Sequence, residues 1–324
     1  MVPVYRGEHC LGPLVEELAA LTEGVVSPGG TRWRVTEVIL VHDCGPDRSD
    51  VVIRVASARH DVVRPIWLSR NFGQHAATLA GMASTAAPWV VTVDEDGQHD
   101  PAEIGVLLDA AFAAGAPLVY GASTQGAAHP LWRNATSQGA KRLVEIMSGV
   151  PARQFSSFRL ILGEHARAVA AYCGQGIYLD VALSWVVPRS TGCAVVGREE
   201  RRAASGYSLK GLLRHFSSLV LSSATRPLRV VALIGIIFSV LGAVGGAWIV
   251  LHVVFGGADD VPGWASVSVI LLVTMGAVLF SLGVIAEYIG SILRLGLGRP
   301  LYVMVNDPAF GPLGSREAIE DDRG

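Results

Sequence analysis

Residues 230 to 258 contain no Asp, Glu, Lys or Arg, and residues 261 to 286 contain none either. A bilayer core is crossed by ~20 apolar residues, so each run predicts a membrane-spanning helix, at about 230–256 and 265–289. The short turn Ala258-Asp259-Asp260-Val261-Pro262-Gly263 joins them into a hairpin. A buried hairpin inside a soluble core would need an unusually large apolar surround. With 51% hydrophobic and 17% charged residues, the chain is also too apolar for an ordinary soluble enzyme. Arg214, Arg226 and Arg229 precede the first run, Arg294 and Arg299 follow the second, and the connecting turn has no Lys or Arg. The positive-inside rule therefore predicts a multi-pass protein of the inner membrane with both termini in the cytoplasm. The N-terminus lacks a basic segment leading into an apolar run, so the first 200 residues are expected to stay cytoplasmic too.

That leading part alternates short apolar runs with helix-period stretches. Val2–Tyr5, Glu37–Val41, Pro65–Leu68, Trp89–Val93 and Leu118–Tyr120 read as buried strands, and Leu11, Leu14, Val15 and Leu18 line one helical face. Such alternation predicts an α/β domain with a mostly parallel, Rossmann-like sheet, whose ligands bind beyond the carboxyl ends of the strands. The first strand is only a few residues long, which suggests a true start upstream of Met1. A net charge of −2 argues against a nucleic-acid partner. The four cysteines, Cys10, Cys44, Cys173 and Cys193, form no Cys-x-x-Cys pair and read as reduced thiols.

The chemistry concentrates where the strand Trp89–Val93 ends in Asp94-Glu95-Asp96-Gly97-Gln98-His99-Asp100. Oxygen ligands gathered at a strand end suit a hard divalent cation, Mg2+ or Mn2+, that keeps positions open for a diphosphate. Asp100, just before Pro101, is better read as a helix cap.

Other strand ends add specificity. Val2-Pro3-Val4-Tyr5 with Glu8, Ile39-Leu40-Val41-His42-Asp43 with Asp47, Leu68-Ser69-Arg70-Asn71-Phe72-Gly73-Gln74 and Ser157-Phe158-Arg159-Leu160 accompany the acidic cluster in order. Toward the C-terminus come Gly283-Val284-Ile285-Ala286-Glu287-Tyr288-Ile289-Gly290 and Arg299-Pro300-Leu301-Tyr302. Together they resemble the family 2 glycosyltransferases of GT-A fold, and within them the polyisoprenyl-phosphate group typified by dolichyl-phosphate mannose synthase and the bactoprenol glucosyltransferases. The resemblance covers nearly the whole chain.

The resemblance implies an inverting enzyme that moves a sugar from a nucleotide-diphosphate donor to a polyprenyl phosphate at the cytoplasmic membrane face. Pro3, Tyr5, Glu8, Asp43, Arg70 and Asp94 match nucleotide-sugar positions; Asp94, Asp96 and Gln98 match the metal and diphosphate positions. Asp96, Arg201 and Ser205 are the implied catalytic residues, the last two from the loop that approaches donor and acceptor phosphates. The expected organisation is a glycosyltransferase domain over 1–205, an interfacial amphipathic helix over 206–227, the hairpin over 228–293 and a cytoplasmic tail over 294–324. Small residues at Gly242, Gly245, Gly246, Ala286 and Gly290 suit close helix contact, within the hairpin or between copies of a homo-oligomer.

The chain departs from the family pattern at three places. His42 stands where a second acidic residue is usual, Ser123 follows the fifth strand where relatives carry Arg, with Arg133 as its nearest substitute, and Ser157 replaces an acidic residue. These departures leave two rivals: a membrane-anchored transferase with a hydroxyl acceptor, and a catalytically weak scaffold or flippase partner.

Overall fold

The computed structural model describes residues 1–123, 155–174, 177–198, 263–296 and 300–311, with scattered positions between 235 and 255. In chain order these form β1 (Val2–Val4), α1 (Leu11–Ala20), β2 (Val25–Val26), β3 (Arg32–Trp33), β4 (Val38–His42), α2 (Ser49–Arg59), β5 (Val63–Leu68), α3 (Gln74–Ala83) and β6 (Trp89–Thr92). A 3-10 turn, Pro101–Glu103, leads into α4 (Ile104–Ala114). Then follow β7 (Leu118–Ser123), β8 (Arg159–Leu162), α5 (Gly163–Tyr172), α6 (Leu179–Val186), β9 (Ser190–Val195), α7 (Trp264–Gly296) and β10 (Met304–Val305).

Two four-stranded ladders, β1-β4-β5-β10 and β6-β8-β7-β9, meet at the N-terminus. The Met1 terminal nitrogen donates to the Val91 carbonyl at 2.8 Å, and the Val93 amide donates to the Met1 carbonyl at 3.0 Å. The stub β1 is thereby the middle of one continuous sheet. Its burial takes the Met1 amine from 8.0 down to about 5, because desolvation penalises the charged form.

The sheet is more mixed than the strand-helix alternation predicts. β1, β4 and β5 run parallel, while β8 lies antiparallel between β6 and β7, and β10 runs antiparallel along the edge of β5. β8 is the next described strand after β7 and runs antiparallel to it, a pairing that needs no right-handed crossover.

Helices cover both faces. α1 buries Leu11, Leu14, Val15 and Leu18, the face its sequence period specifies. α3 is buried nearly all round, from Ala76 to Met82, and only small or flexible side chains fit there. Phe158, fully buried before β8, joins the core beneath the strand ends.

α7 runs 33 residues, about 50 Å at 1.5 Å per residue, and exposes Val267, Ile270, Leu271, Met275, Leu279 and Leu282. Counting the described side chains only, no helix is long and apolar enough to cross a membrane. The expected interfacial helix and most of the first apolar run lie outside the described residues.

After α7 the chain returns to the sheet. Met304 pairs with Leu68 and Val305 with Trp67. Arg54 of α2 then grips Asp307 with two hydrogen bonds of 2.8 Å while stacking on Trp67 at 4.9 Å.

Candidate active site

The carboxyl ends of β1, β4, β5 and β6 are laced together by carboxylates that accept from backbone amides. Asp43, just past β4, is 3% exposed. Its two oxygens accept from the Phe72 amide at 2.7 Å and the Gly73 amide at 2.8 Å, and its own amide donates to the Val4 carbonyl at 2.8 Å. One residue thus ties the loops after β1, β4 and β5. Burial raises its pKa, an effect opposed by the two amides and by Arg70. An ionised carboxylate has about four lone-pair sites, so Asp43 keeps capacity for a further donor such as a base N–H.

The loop after β4 presses on the loop after β1. A Cβ on Gly45 would lie 1.7 Å from the Tyr5 carbonyl oxygen, so only glycine fits, and Cys44 beside it takes a φ of 51°. Glu8 and Asp47 cap each other's loops, the Glu8 amide donating to Asp47 at 3.1 Å and the Arg48 amide to Glu8 at 3.2 Å. Pro3 is buried within β1, whereas Tyr5 is exposed just beyond its end. Arg70 is exposed as well, its guanidinium 4.1 Å from the Phe72 ring centroid.

The acidic loop supplies the opposite wall. Glu95, to which sequence reading gives no role, accepts from the amides of Tyr5 at 2.8 Å and Arg6 at 3.0 Å, joining this loop to β1. Asp94 is half-buried and accepts from two neutral donors: Gln74 Nε2 at 2.7 Å on Oδ1, and the Ser157 hydroxyl on Oδ2. Asp96 accepts from the Gln98 amide at 3.0 Å across the turn at Gly97, whose φ is 75°. His99 stacks on Phe158, ring centroids 5.0 Å apart and planes 13° from parallel. Its pKa is lowered by burial, against the pull of Asp94 and Asp96. Asp100 caps the following turn by accepting from the Ala102 amide, as its place before Pro101 predicts.

The structure therefore brings Tyr5, Glu8, Asp43, Arg70, Asp94, Asp96 and Gln98 to one end of the sheet. Arg201, Ser205 and Arg133 lie outside the described residues. At two of the departures the substitute is engaged. Ser157 binds Asp94, and His42 is buried edge-on against Trp67, ring centroids 5.2 Å apart. Ser123 ends β7 beside Gly197, where an added Cβ would meet its hydroxyl at 2.1 Å.

Among the described residues, no group of three or more His, Cys, Asp or Glu is arranged to hold a metal ion. Mg2+-type cations at diphosphate sites need only one or two carboxylates, with substrate phosphate and water completing the shell. Asp94 and Asp96, the former oriented by neutral donors, fit that requirement.

Residues 1–159 match the family model "Glycosyl transferase family 2", and residues 226–292 match "GtrB C-terminal hairpin". Among curated relatives, an undecaprenyl-phosphate 4-deoxy-4-formamido-L-arabinose transferase of Pectobacterium carotovorum is 26% identical, over 93% of this chain and 90% of that protein. An uncharacterized glycosyltransferase of Bacillus subtilis, YkcC, is 29% identical over 94% and 92%. Among solved structures, glucosyl-3-phosphoglycerate synthase from Mycobacterium tuberculosis, in complex with Mn2+, UDP and phosphoglyceric acid, aligns at a TM-score of 0.48. It is 14% identical, over 69% of this chain and 76% of that one.

Proposed function

We propose that this family 2 glycosyltransferase, whose nucleotide-sugar-dependent domain is followed by a GtrB-type hairpin, transfers a sugar from a nucleotide diphosphate to a polyprenyl phosphate at the cytoplasmic membrane face. The observation that carries this reading is Asp94, a half-buried carboxylate at the carboxyl end of β6 that is positioned by Gln74 and Ser157 and shares its loop with Asp96. The names of relatives that span nearly the same length add the acceptor class.

The residues divide the work. Asp43 and Tyr5, at the ends of β4 and β1, would take the base and ribose, and Arg70 would add a cation beside them. Asp94 and Asp96, with Gln98, would hold a divalent cation, which when bound neutralises charge on the departing diphosphate. A phosphate monoester has a second pKa near ~6 and is already anionic, so the protein needs to align the acceptor more than to deprotonate it. Inversion then follows from attack on the face opposite the diphosphate.

The same reading places α7 in the bilayer as the second span. Its length exceeds the ~30 Å hydrocarbon core, and residues 264–286 are uncharged. The pairing of β10 with β5 brings the chain after the hairpin back to the domain that precedes it, which argues for both hairpin ends on one side. The flanking arginines make that side cytoplasmic.

The test is incubation of membrane-reconstituted protein with undecaprenyl phosphate, Mg2+ or Mn2+ and a panel of nucleotide sugars, read by lipid mass spectrometry. A glycosyl-phosphoryl lipid formed by the wild type and lost in Asp96→Ala is the expected result. Transfer only to a hydroxyl acceptor, or none with any donor, would refute it.

A further inference from the structure

We propose that Arg198 is a positioning residue that holds the acidic loop and the acceptor-side chain in register, a role that rests on the transferase reading above. Three contacts between distant segments converge on residues 196–198. The Val196 amide donates to Glu103 Oε2 at 3.1 Å, Gly197 forms an isolated antiparallel bridge with His99, and the Arg198 amide donates to the Gln98 carbonyl at 2.9 Å. Gly197 is also packed against the tip of β7, leaving no room for a Cβ beside Ser123.

The Arg198 side chain closes the clasp. Its Nε and Nη2 hold both oxygens of Asp100, at 3.1 and 2.8 Å, and its Nη1 reaches Glu17 of α1 at 2.6 Å. The planar guanidinium suits this forked grip, and an ammonium cannot reproduce it. Side chains 33%, 33% and 21% exposed make up the trio of Arg198, Glu17 and Asp100, so water only partly screens it.

The position of the clasp gives it a function. On one side it seizes residues 98 and 100 of the loop that carries Asp94 and Asp96. On the other, Arg198 is the last described residue before Arg201, which an extended chain cannot place more than about 10 Å further on. A clasp at that junction fixes the spacing between the donor diphosphate and the acceptor phosphate, while touching neither.

Such a role predicts a split between transfer and hydrolysis. Water needs no alignment by the acceptor-side chain, so loosening the clasp should slow sugar transfer to polyprenyl phosphate far more than metal-dependent hydrolysis of the donor. In Arg198→Gln the transfer-to-hydrolysis ratio should fall on the order of tenfold to a hundredfold, the scale expected for misplacement of about 1 Å. Affinity for uridine, guanosine or thymidine diphosphate, whichever the wild type binds, should stay within about twofold, since base contacts are unaffected. Arg198→Lys, which keeps one ion pair and tests the same point should the Gln variant fold poorly, should recover the ratio in part.

The measurement is wild type and both variants in bilayers of the same composition, with glycosyl lipid and free sugar quantified together. An unchanged ratio in both variants, or equal loss of transfer, hydrolysis and nucleotide affinity, would overturn the proposal alone. A wild type that hydrolyses donor but never forms glycosyl lipid would overturn the acceptor reading and the proposal with it.

Discussion

The hydroxyl of Ser157, two residues before β8, donates to Oδ2 of Asp94, just beyond the end of β6. The Ser157 carbonyl in turn accepts from the Thr92 hydroxyl within β6. A position expected to be acidic thus holds a neutral donor whose partner is a proposed metal ligand. Ser157→Ala should free one Asp94 oxygen and lower transfer about tenfold or more by loosening the ligand. Ser157→Asp would set two carboxylates in contact. Its thermal midpoint should fall in EDTA and recover with Mn2+, and a midpoint indifferent to metal would remove Asp94 from the cation site.

His42 gives a pH test. Burial lowers its pKa, Arg54 adding to the effect while Asp50, Asp47 and Asp307 oppose it, and its Nε2 has no partner among the described residues. Below about 6.5 the unfolded chain takes up a proton that the folded site refuses, so stability falls as pH drops through that value. His42→Phe keeps an aromatic edge against Trp67 and removes the titration. Denaturation between about pH 7 and 5 should show a shallower acid loss in the variant; parallel curves would clear His42 of the effect.

The clamp on β10 can be tested through Arg54. Its paired hydrogen bonds to Asp307 connect α2 to the chain beyond the hairpin. Arg54→Ala should cost about 1–3 kcal/mol and speed proteolysis within residues 300–311. Unaltered cleavage there would mean that β10 is held by its ladder alone.

The hairpin topology has a direct readout. A Cys at Ala258, in a background lacking Cys10, Cys44, Cys173 and Cys193, should react with an impermeant thiol reagent added outside intact cells. Labelling that requires membrane disruption would invert the proposed orientation.

Much of the first half of the fold is legible in the sequence because its signals are local. β4, β6 and α1 announce themselves as Val- and Ile-rich runs or a helical stripe, and the structure puts them within a residue or two of where periodicity places them. β8 and β10 carry no such signal: β8 owes its place to antiparallel pairing on both sides, and β10 to a two-residue match with β5. The same division runs through the site. Asp43, Asp94 and Asp96 stand at strand ends, where chemistry is to be sought. Glu95 and Arg198 act through partners roughly ninety or more residues away, Tyr5 and Arg6 for one, Asp100 and Glu17 for the other. No spacing rule reveals such pairings.

The return of the chain to β5 also sets an order of events during synthesis. The ribosome emits β5 long before β10, and both apolar runs must leave the exit tunnel between them. Until then the β5 edge is open and Arg54 lacks Asp307. An open edge invites pairing with other strands, and Pro65 and Arg64 within β5 are residues that discourage it. The sheet gains its last strand only after the whole hairpin segment has been made, so on the proposed topology the nascent domain is completed at the membrane surface.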